Sequence, residues 1–425
     1  MPRWRKLTVR WLVLALRLAV GATFVYSGFV KIIDVWGIGY KIDDYIEAFH
    51  WTWAAPFTGI VAVALPLFEF LAGLMLAIGS FRRASVVALT VCMAFMLPLS
   101  AYIMATDPVP DCGCFGDAWV ISNTATFWKN VALTAALIYL LVRNHQLRSL
   151  YGPAVQWLTL TLPAVVAMAI MAWGYYFQPM LDFRPYKIGT QLVTADDSEN
   201  DDDYRFIYEK NGERQEFSIN NLPDSTWTFV DRIDLDEITP LHQASAITAY
   251  DGDESVADNL ISPRGVTVLL LIPDIDGINS LTNFRLNDLN DHAAVSGYQM
   301  ICLTGSDEKK LNQWREMSMA DYPVYRMDDS QLKQIARGNP AVVIVKDGRI
   351  AYKSSFFDFY AQFDEATRGK SLNIKVYTDT VDDNKELLYS LLIILAIAMA
   401  ALLAVNRTPL ALKLIRMSRK PKATQ

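Results

Sequence analysis

Six runs of about 20 apolar residues divide the chain, near residues 11–32, 56–79, 84–105, 124–143, 155–178 and 387–405. Each has the length of helix needed to cross the roughly 30 Å hydrocarbon core of a bilayer, so the pattern predicts six membrane-spanning helices. Between the fifth and sixth runs, residues 179–386 alternate short apolar stretches with polar ones, which predicts a water-exposed segment of strands and helices. The expected organisation is a four-helix bundle over 1–150, a fifth span over 151–180, a β-rich segment over 181–245, an α/β domain over 246–375, and a sixth span with a basic tail over 385–425.

Basic residues orient these spans. Arg3, Arg5, Lys6 and Arg10 precede the first, Arg82 and Arg83 join the second to the third, and Arg143 and Arg148 join the fourth to the fifth. Arg407, Lys413, Arg416, Arg419, Lys420 and Lys422 follow the last. The positive-inside bias then sets both ends in the cytoplasm and residues 179–386 outside it. The first run contains Arg17, exceeds a usual signal-peptide core and has no small-residue cleavage site before Lys31, so it reads as a retained helix. The net charge of −6 comes largely from the exterior segment, where Asp196, Asp197, Glu199, Asp201, Asp202 and Asp203 crowd together. That run lacks the Gly and spaced ligands of a calcium loop and reads as solvated.

The loop between the third and fourth spans holds PVPDCGCFG, Pro108 to Gly116, with two of the chain's four cysteines and no Lys or Arg between Thr106 and Trp128. A dithiol outside the cytoplasm is in a compartment where disulfides persist. Gly113 permits the backbone angles that let sulfurs two residues apart meet. A disulfide closing so small a ring is expected to oxidise other thiols rather than act as an inert staple. Asp111 and Asp117 are expected to oppose thiolate formation. Redox exchange by Cys112 and Cys114 is the leading reading, and a structural or idle pair is the alternative. Two thiols without a His or a second pair fall short of a metal site. Cys92, about 20 Å below the exterior surface by helical rise, reads as a buried small hydrophobe.

Polar residues inside the spans are costly and face a bundle interior or a cavity. Arg17, Gly21, Phe24, Gly28 and Lys31 share one helical face, as do Pro66, Glu69 and Gly73. Arg17 lies about 10 Å, and Glu69 about 15 Å, from the cytoplasmic ends of their apolar runs, so the two are expected to approach each other. Such a pair either fixes helix register, with the glycines allowing close packing, or serves a proton path or a quinone headgroup. Lys31 and Lys129, near exterior ends, are expected to snorkel toward water.

LRLAVGATFVYSGFVKIID (Leu16 to Asp34), LPLFEFLAGLMLAIG (Leu65 to Gly79) and DCGCFG (Asp111 to Gly116), in that order over the first four spans, resemble the DoxX and MauE group of bacterial four-helix membrane proteins. The resemblance covers about the first third of the chain. It implies a bacterial inner-membrane location, an association with thiol and quinone redox reactions and with disulfide formation in periplasmic partners, and Arg17, Lys31, Glu69, Cys112 and Cys114 as the family-like residues.

In the exterior segment, VTVLLLIP from Val266 and Gln299 to Leu303 read as strands, and Lys309 to Glu316 and Ser330 to Ile335 as short helices. AVVIVKDGRIAYK reads as a hairpin turning at Asp347-Gly348, and YEKNGERQEFS as an earlier hairpin. NPAVVIVKDGRIAYK (Asn339 to Lys353) resembles the end of a thioredoxin domain, with Pro340 at the cis-proline position, and YPVYRMDDSQLKQIARGNP is similar to its TlpA-like branch. Where that family carries CxxC, this chain reads PDIDGINS (Pro273 to Ser280), without cysteine. The resemblance therefore implies either a thioredoxin-like domain that binds partners by its sheet edge, with Asp274, Asp276 and Pro340 as partner-binding residues, or a redox-dead remnant kept for shape. Cys302 is expected in the core of a strand. His50, His145, His242 and His292 form no metal or triad spacing.

The expected protein is thus a multi-pass α-helical membrane protein, a DoxX-like four-helix bundle plus two further spans, with an exterior α/β thioredoxin-like domain. Two functions remain open: a thiol–disulfide or quinone-linked oxidoreductase acting on periplasmic protein thiols or peptides, and a nonenzymatic membrane scaffold with a structural CGC. Membrane lipid is an expected partner, nucleic acid is not, and quinone is a candidate cofactor.

Overall fold

The computed structural model describes residues 3–146, 149–193, 204–210, 213–217, 222–223, 226–234, 247–256, 260–367, 372–378 and 383–418. The acidic run at 196–203, Arg148, Arg419, Lys420 and Lys422 lie outside the described residues. The chain forms two compact units, Met1–Asp182 with Val381–Gln425, and Phe183–Thr380.

The first unit is helical. Among the described residues six spans, Thr8–Ile33, Thr52–Ile78, Arg82–Thr106, Asn123–Val142, Pro153–Tyr176 and Asn384–Asn406, are long and apolar enough to cross a membrane. The chain is a multi-pass membrane protein. Its helices are α1 (Arg3–Ile33), α2 (Val35–Ala48), α3 (Thr58–Ile78), α4 (Arg82–Thr106), α5 (Asn123–Val142) and α6 (Gln156–Tyr176), with a final helix at Asp383–Ser418. Val13, Val20, Phe24, Leu76, Leu89 and Leu137 form part of the apolar core between α1, α3, α4 and α5. The final helix is tied to the segment before α6, where the Tyr151 hydroxyl donates to the Met399 carbonyl at 3.0 Å.

Close packing of α1 on α3 sets the geometry of everything above it. A Cβ on Gly28 would lie 2.7 Å from the Pro66 carbonyl oxygen, and one on Gly73 would lie 2.7 Å from Phe24 Cβ. One on Gly21 would lie 2.9 Å from Ala77 Cβ. Numbers rise along one helix as they fall along the other, so the two run antiparallel with Gly28 opposite Pro66 and Phe70, and Gly21 opposite Gly73 and Ala77. Backbone contact this close needs glycine, as in other membrane helix pairs. Gly28→Val should therefore force α1 and α3 apart, cost about 1–3 kcal/mol or more, and lower the folded yield of detergent-solubilised protein. A wild-type yield and melting temperature for that variant would count against this packing account.

The same register corrects the expected Arg17–Glu69 pair. Glu69 lies level with Ser27 and Lys31, and its carboxylate pairs with Lys31 Nζ at 2.8 Å. Arg17 reaches only the end of α3, where Nη2 donates to the Ala77 carbonyl at 2.9 Å. The depth count took the ends of the two apolar runs as level. In fact α1 begins at Arg3, about 21 Å of helix before Arg17, and projects past the end of α3.

Helix α2 was not foreseen. Asp34 caps it by accepting from Gly37 N at 2.9 Å, and Ile38, Ile42, Tyr45 and Ile46 fall at helical spacing on one face. Its Trp36 ring stacks on Tyr175 of α6 at 5.2 Å between centroids.

The second unit contains two sheets. The smaller is antiparallel, order β2–β1–β3, from β1 (Tyr204–Lys210), β2 (Glu213–Phe217) and β3 (Thr228–Asp234), and its β1–β2 pair is the hairpin expected around Glu209 to Phe217. The larger has seven strands in the order β10–β9–β6–β7–β8–β4–β5. These are β4 (Tyr250–Asp251), β5 (Glu254–Ser255), β6 (Val266–Ile272), β7 (Gln299–Thr304), β8 (Val324–Arg326), β9 (Ala341–Lys346) and β10 (Arg349–Ser355). Strands β6, β7 and β8 run parallel, while β9 runs antiparallel to both β6 and β10. Helix α7 (Ser280–Val295) links β6 to β7, and α8 (Glu308–Ser318), α9 (Asp329–Ile335) and α10 (Phe356–Thr367) follow.

Along β6, Val268, Leu270 and Ile272 enter one apolar cluster and Leu269 and Leu271 the other, so the strand is buried on both faces and reads as a continuous apolar run. The β9–β10 hairpin turns at Asp347 and Gly348 with φ of 52° and 71°, the paired positive angles of a tight hairpin turn.

Candidate functional site

The CGC loop is held from several sides. Asn123, at the start of α5, donates to the Asp107 side chain at 2.6 Å and to the Val109 carbonyl at 3.1 Å, anchoring the loop where it leaves α4. Asp111 accepts from Gly113 N at 2.7 Å and pairs with Lys41 of α2 at 2.7 Å. Gly113 has φ +64°, a conformation that glycine adopts without a Cβ clash. The Tyr45 hydroxyl donates to the Cys112 carbonyl at 3.0 Å, and Phe115 is buried against Tyr26 and Trp119. The result brings Cys112 Sγ and Cys114 Sγ to 3.2 Å, both half-buried.

The two sulfurs are unequal. Sharing a hydrogen bond with Cys114, together with burial, pushes the Cys112 thiol up. That bond favours the Cys114 thiolate; with help from the nearby Lys129 and Lys31 ammonium groups it outweighs burial and lowers Cys114 to about 6. Burial, with Cys112 beside it, pushes the Tyr45 hydroxyl up. Asp111 is paired with Lys41 and Asp117 is exposed, and the carboxylate that opposes the Cys114 thiolate is that of Glu69.

Below the loop lies a buried ionic cluster. Lys31 Nζ donates to Glu69 Oε2 at 2.8 Å and to Oε1 at 3.0 Å, with both side chains 6 % exposed. Ser27 Oγ, one helical turn before Lys31, lies 2.8 Å from Glu69 Oε2 and 2.7 Å from the Cys114 carbonyl oxygen, and its single proton serves one of them at a time. Lys31 therefore does not snorkel. Its face of α1 is closed by α3 at the Gly28 contact, and a carboxylate waits there. Nor does Lys129 simply reach outward, because its Nζ sits 4.4 Å above the Phe115 ring.

Dithiol and ionic cluster open onto one cavity of about 430 Å³ between α1, α2, α3, α4 and α5. Its walls are apolar, with Tyr45, Phe49, Trp51, Trp53 and Phe57 on one side and Met93, Met96 and Leu99 on another. Cys112, Cys114, Ser27, Lys31, Glu69 and Lys129 also line it. Cys92 packs against the apolar bundle core. Of these residues, sequence reasoning missed Ser27, Lys41 and Tyr45. Ser27 carried a faint signal, a hydroxyl four residues before Lys31, whereas Lys41 and Tyr45 depend on the unforeseen α2.

The remaining candidates sit in the second unit. Asp274 caps a short turn by accepting from Asp276 N at 3.1 Å. The Asn339–Pro340 peptide is cis, and Asn339 Nδ2 donates to the Asp274 carbonyl at 2.7 Å, so the Pro340 and Asp274 loops adjoin. Asp276 points elsewhere and pairs at the surface with Lys310 at 2.6 Å. A shallow groove of about 540 Å³ beside Asp276 is flanked by Phe284, Lys310, Met317 and Met319. Cys302 is buried on β7, where burial pushes its thiol up.

No curated protein and no solved structure matches the chain. Residues 203–235, around the small sheet, match a domain family of unknown function. Residues 9–143, which run from α1 through the dithiol loop to the end of α5, match the family model of the methylamine utilisation protein MauE, so the N-terminal membrane part of this chain is MauE-like.

Proposed function

We propose that the protein is a thiol–disulfide oxidoreductase of the bacterial inner membrane, in which Cys112 and Cys114 collect electrons from periplasmic protein thiols and pass them to a lipid-soluble quinone. The observation that carries this reading is a pair of sulfurs 3.2 Å apart on the wall of a deep apolar cavity within the membrane part. A dithiol that only stapled a loop would need no such cavity. The fit to a quinone rests on the lining: Trp51, Trp53 and Phe57 offer ring faces for an aromatic head and apolar tail, and the Lys129 ammonium offers a donor for its oxygens. A quinone bound there supplies the capacity to take up two electrons and two protons.

In this reading Cys114, whose thiolate is favoured, faces the acceptor, and Cys112 takes the partner. The α/β unit is a thioredoxin-like recognition module without dithiol chemistry of its own. Supporting that assignment are the strand order β10–β9–β6–β7 with β9 antiparallel to β6, the cis peptide at Pro340 and the cysteine-free loop at Asp274. Asp274, Asp276 and Pro340, beside the groove at Phe284, are its partner-binding residues. The Arg and Lys distribution supports cytoplasmic ends and a periplasmic segment 179–386; phosphatase fusions after Gly116 and near Asp288 should be active and one after Arg83 silent.

The test is to trap Cys112 and Cys114 in living cells with an alkylating mass tag, with and without reductant. The pair should shift between oxidised and reduced forms, and Cys114→Ser should accumulate a mixed disulfide through Cys112. A pair that stays in one state under both conditions, with normal growth of the Cys112→Ser, Cys114→Ser double variant, would leave a membrane scaffold with a structural CGC.

A further inference from the structure

Oxidising the fully protonated dithiol forms one S–S bond, breaks two S–H bonds and releases two electrons and two protons; with Cys114 as thiolate one S–H bond breaks, and a quinone-class acceptor takes its second proton from water. Electrons cross a few ångströms of apolar space readily. Protons need groups to carry them, and a charge left behind in hydrocarbon is costly. The cavity must therefore contain a proton route that restores its own charge after each transfer.

We propose that the Glu69–Lys31 pair, with Ser27 as its link to the dithiol loop, is the proton relay between the dithiol and the acceptor. This rests on the redox reading above and adds a role for residues which that reading does not need. The pair is neutral as a unit. When the carboxylate receives a proton from the thiol end and the ammonium gives one up at the acceptor end, the carboxylic acid and amine re-form the ion pair by moving one proton along the 2.8 Å bond between them. The site ends with its original charge, so nothing uncompensated is buried. At pH 7 Cys114 is already largely thiolate, its proton given up to water, so the relay carries the Cys112 proton and the acceptor takes its second proton from water; where Cys114 is protonated the relay cycles twice.

Placement supports the role. Ser27 Oγ sits between the carboxylate and the Cys114 carbonyl and also lies 3.3 Å from Lys31 Nζ. The carbonyl carries no thiol proton and only holds the hydroxyl in place beside the dithiol loop; a hydroxyl can accept a proton arriving from the thiol side while it passes its own to Glu69. The other ionisable groups near the cluster have other contacts and, among the described residues lining the cavity, include no second carboxylate. Lys41 of α2 is tied to Asp111, Tyr45 of α2 donates to the Cys112 carbonyl, and Lys129 of α5 lies over Phe115. Cys92 of α4 is packed against the bundle core. Glu69 is the only carboxylate among the residues described as lining the cavity. A structural ion pair would lock α1 to α3 equally well from any depth, whereas this one shares a cavity wall with the two reacting sulfurs.

The experiment uses the full chain in nanodiscs, with the reduced dithiol oxidised by a soluble short-chain quinone and, separately, alkylated by iodoacetamide across pH. Alkylation needs the thiolate but no relay. Glu69→Gln should slow quinone-driven oxidation by about a hundredfold, the scale of a lost proton-transfer group, and flatten its pH profile, while Cys114 still alkylates. Replacing both charges at once, Lys31→Met with Glu69→Leu, leaves no orphaned ion and should give folded protein with the same slow oxidation; this covers the case in which Glu69→Gln fails to fold. Ser27→Ala should slow oxidation by about tenfold. Wild-type oxidation rates and pH profile in the folded double variant would overturn the relay. A wild-type dithiol that quinone does not oxidise at any pH would instead overturn the redox reading itself.

Discussion

Lys31→Ala is expected to be among the most damaging single substitutions in the membrane part, because it strands the Glu69 carboxylate with one hydroxyl neighbour in a nearly closed site. Breaking a buried ion pair by removing one partner costs about 3–5 kcal/mol. The Lys31 side chain is itself buried, so truncation leaves a void as well. Thermal unfolding of the detergent-solubilised protein should show a large fall in melting temperature and yield. Adding Glu69→Leu to Lys31→Met should recover most of the loss, since two apolar side chains of similar size replace two compensated charges. A single Lys31→Ala variant as stable as the wild type would mean that the 2.8 Å pair does not persist in solution.

Much of this architecture was legible in the sequence, for reasons that differ between elements. The spans are fixed by length and apolarity, so the final helix is found from its own residues with no knowledge of its neighbours. Strand β6 announces itself as an unbroken apolar run because both of its faces are covered. The β9–β10 turn is announced by Asp347-Gly348, whose angles few other residue pairs adopt. Helix α2 was hidden because it is half as long as a span and only one face is apolar, so a window tuned to 20 residues averages it away. Strands β4, β5 and β8 were hidden because runs of two or three residues are too short to show an alternating side-chain pattern. The CGC loop was legible as a dithiol, but its electrostatics were misread. Asp111 looked like a repulsive neighbour until Lys41, seventy residues earlier, arrived through α2. Lys31 and Glu69 were both singled out, yet pairing depends on how far two helices slide past each other. That offset is set by where glycines permit backbone contact, at Gly28 and Gly73, and no periodicity within one helix encodes it.

The second large effect concerns the two thiols, which differ by one position and should differ greatly in reactivity. With Cys114 lowered to about 6, about nine-tenths of it is thiolate at pH 7. Cys112, raised above an ordinary thiol, is thiolate to no more than a few per cent. Initial-rate labelling of the reduced full-length protein with iodoacetamide, read by peptide mass mapping, should therefore favour Cys114 by at least about thirtyfold at pH 7. The Cys114 rate should be flat above about pH 7 and fall roughly tenfold per unit well below 6. Lys129→Ala removes a cation that favours the thiolate and should move the midpoint upward, while unfolding in denaturant should return it to the ordinary thiol range near 8.5. The same asymmetry carries a sign for stability. The folded state holds this acid group deprotonated more readily than the unfolded chain does, so its contribution is fully present above the unfolded value and is lost as pH falls through about 6. Equal labelling of the two cysteines at pH 7, or a Cys114 midpoint near that of a free thiol, would remove the basis for assigning Cys114 to the acceptor and Cys112 to the partner.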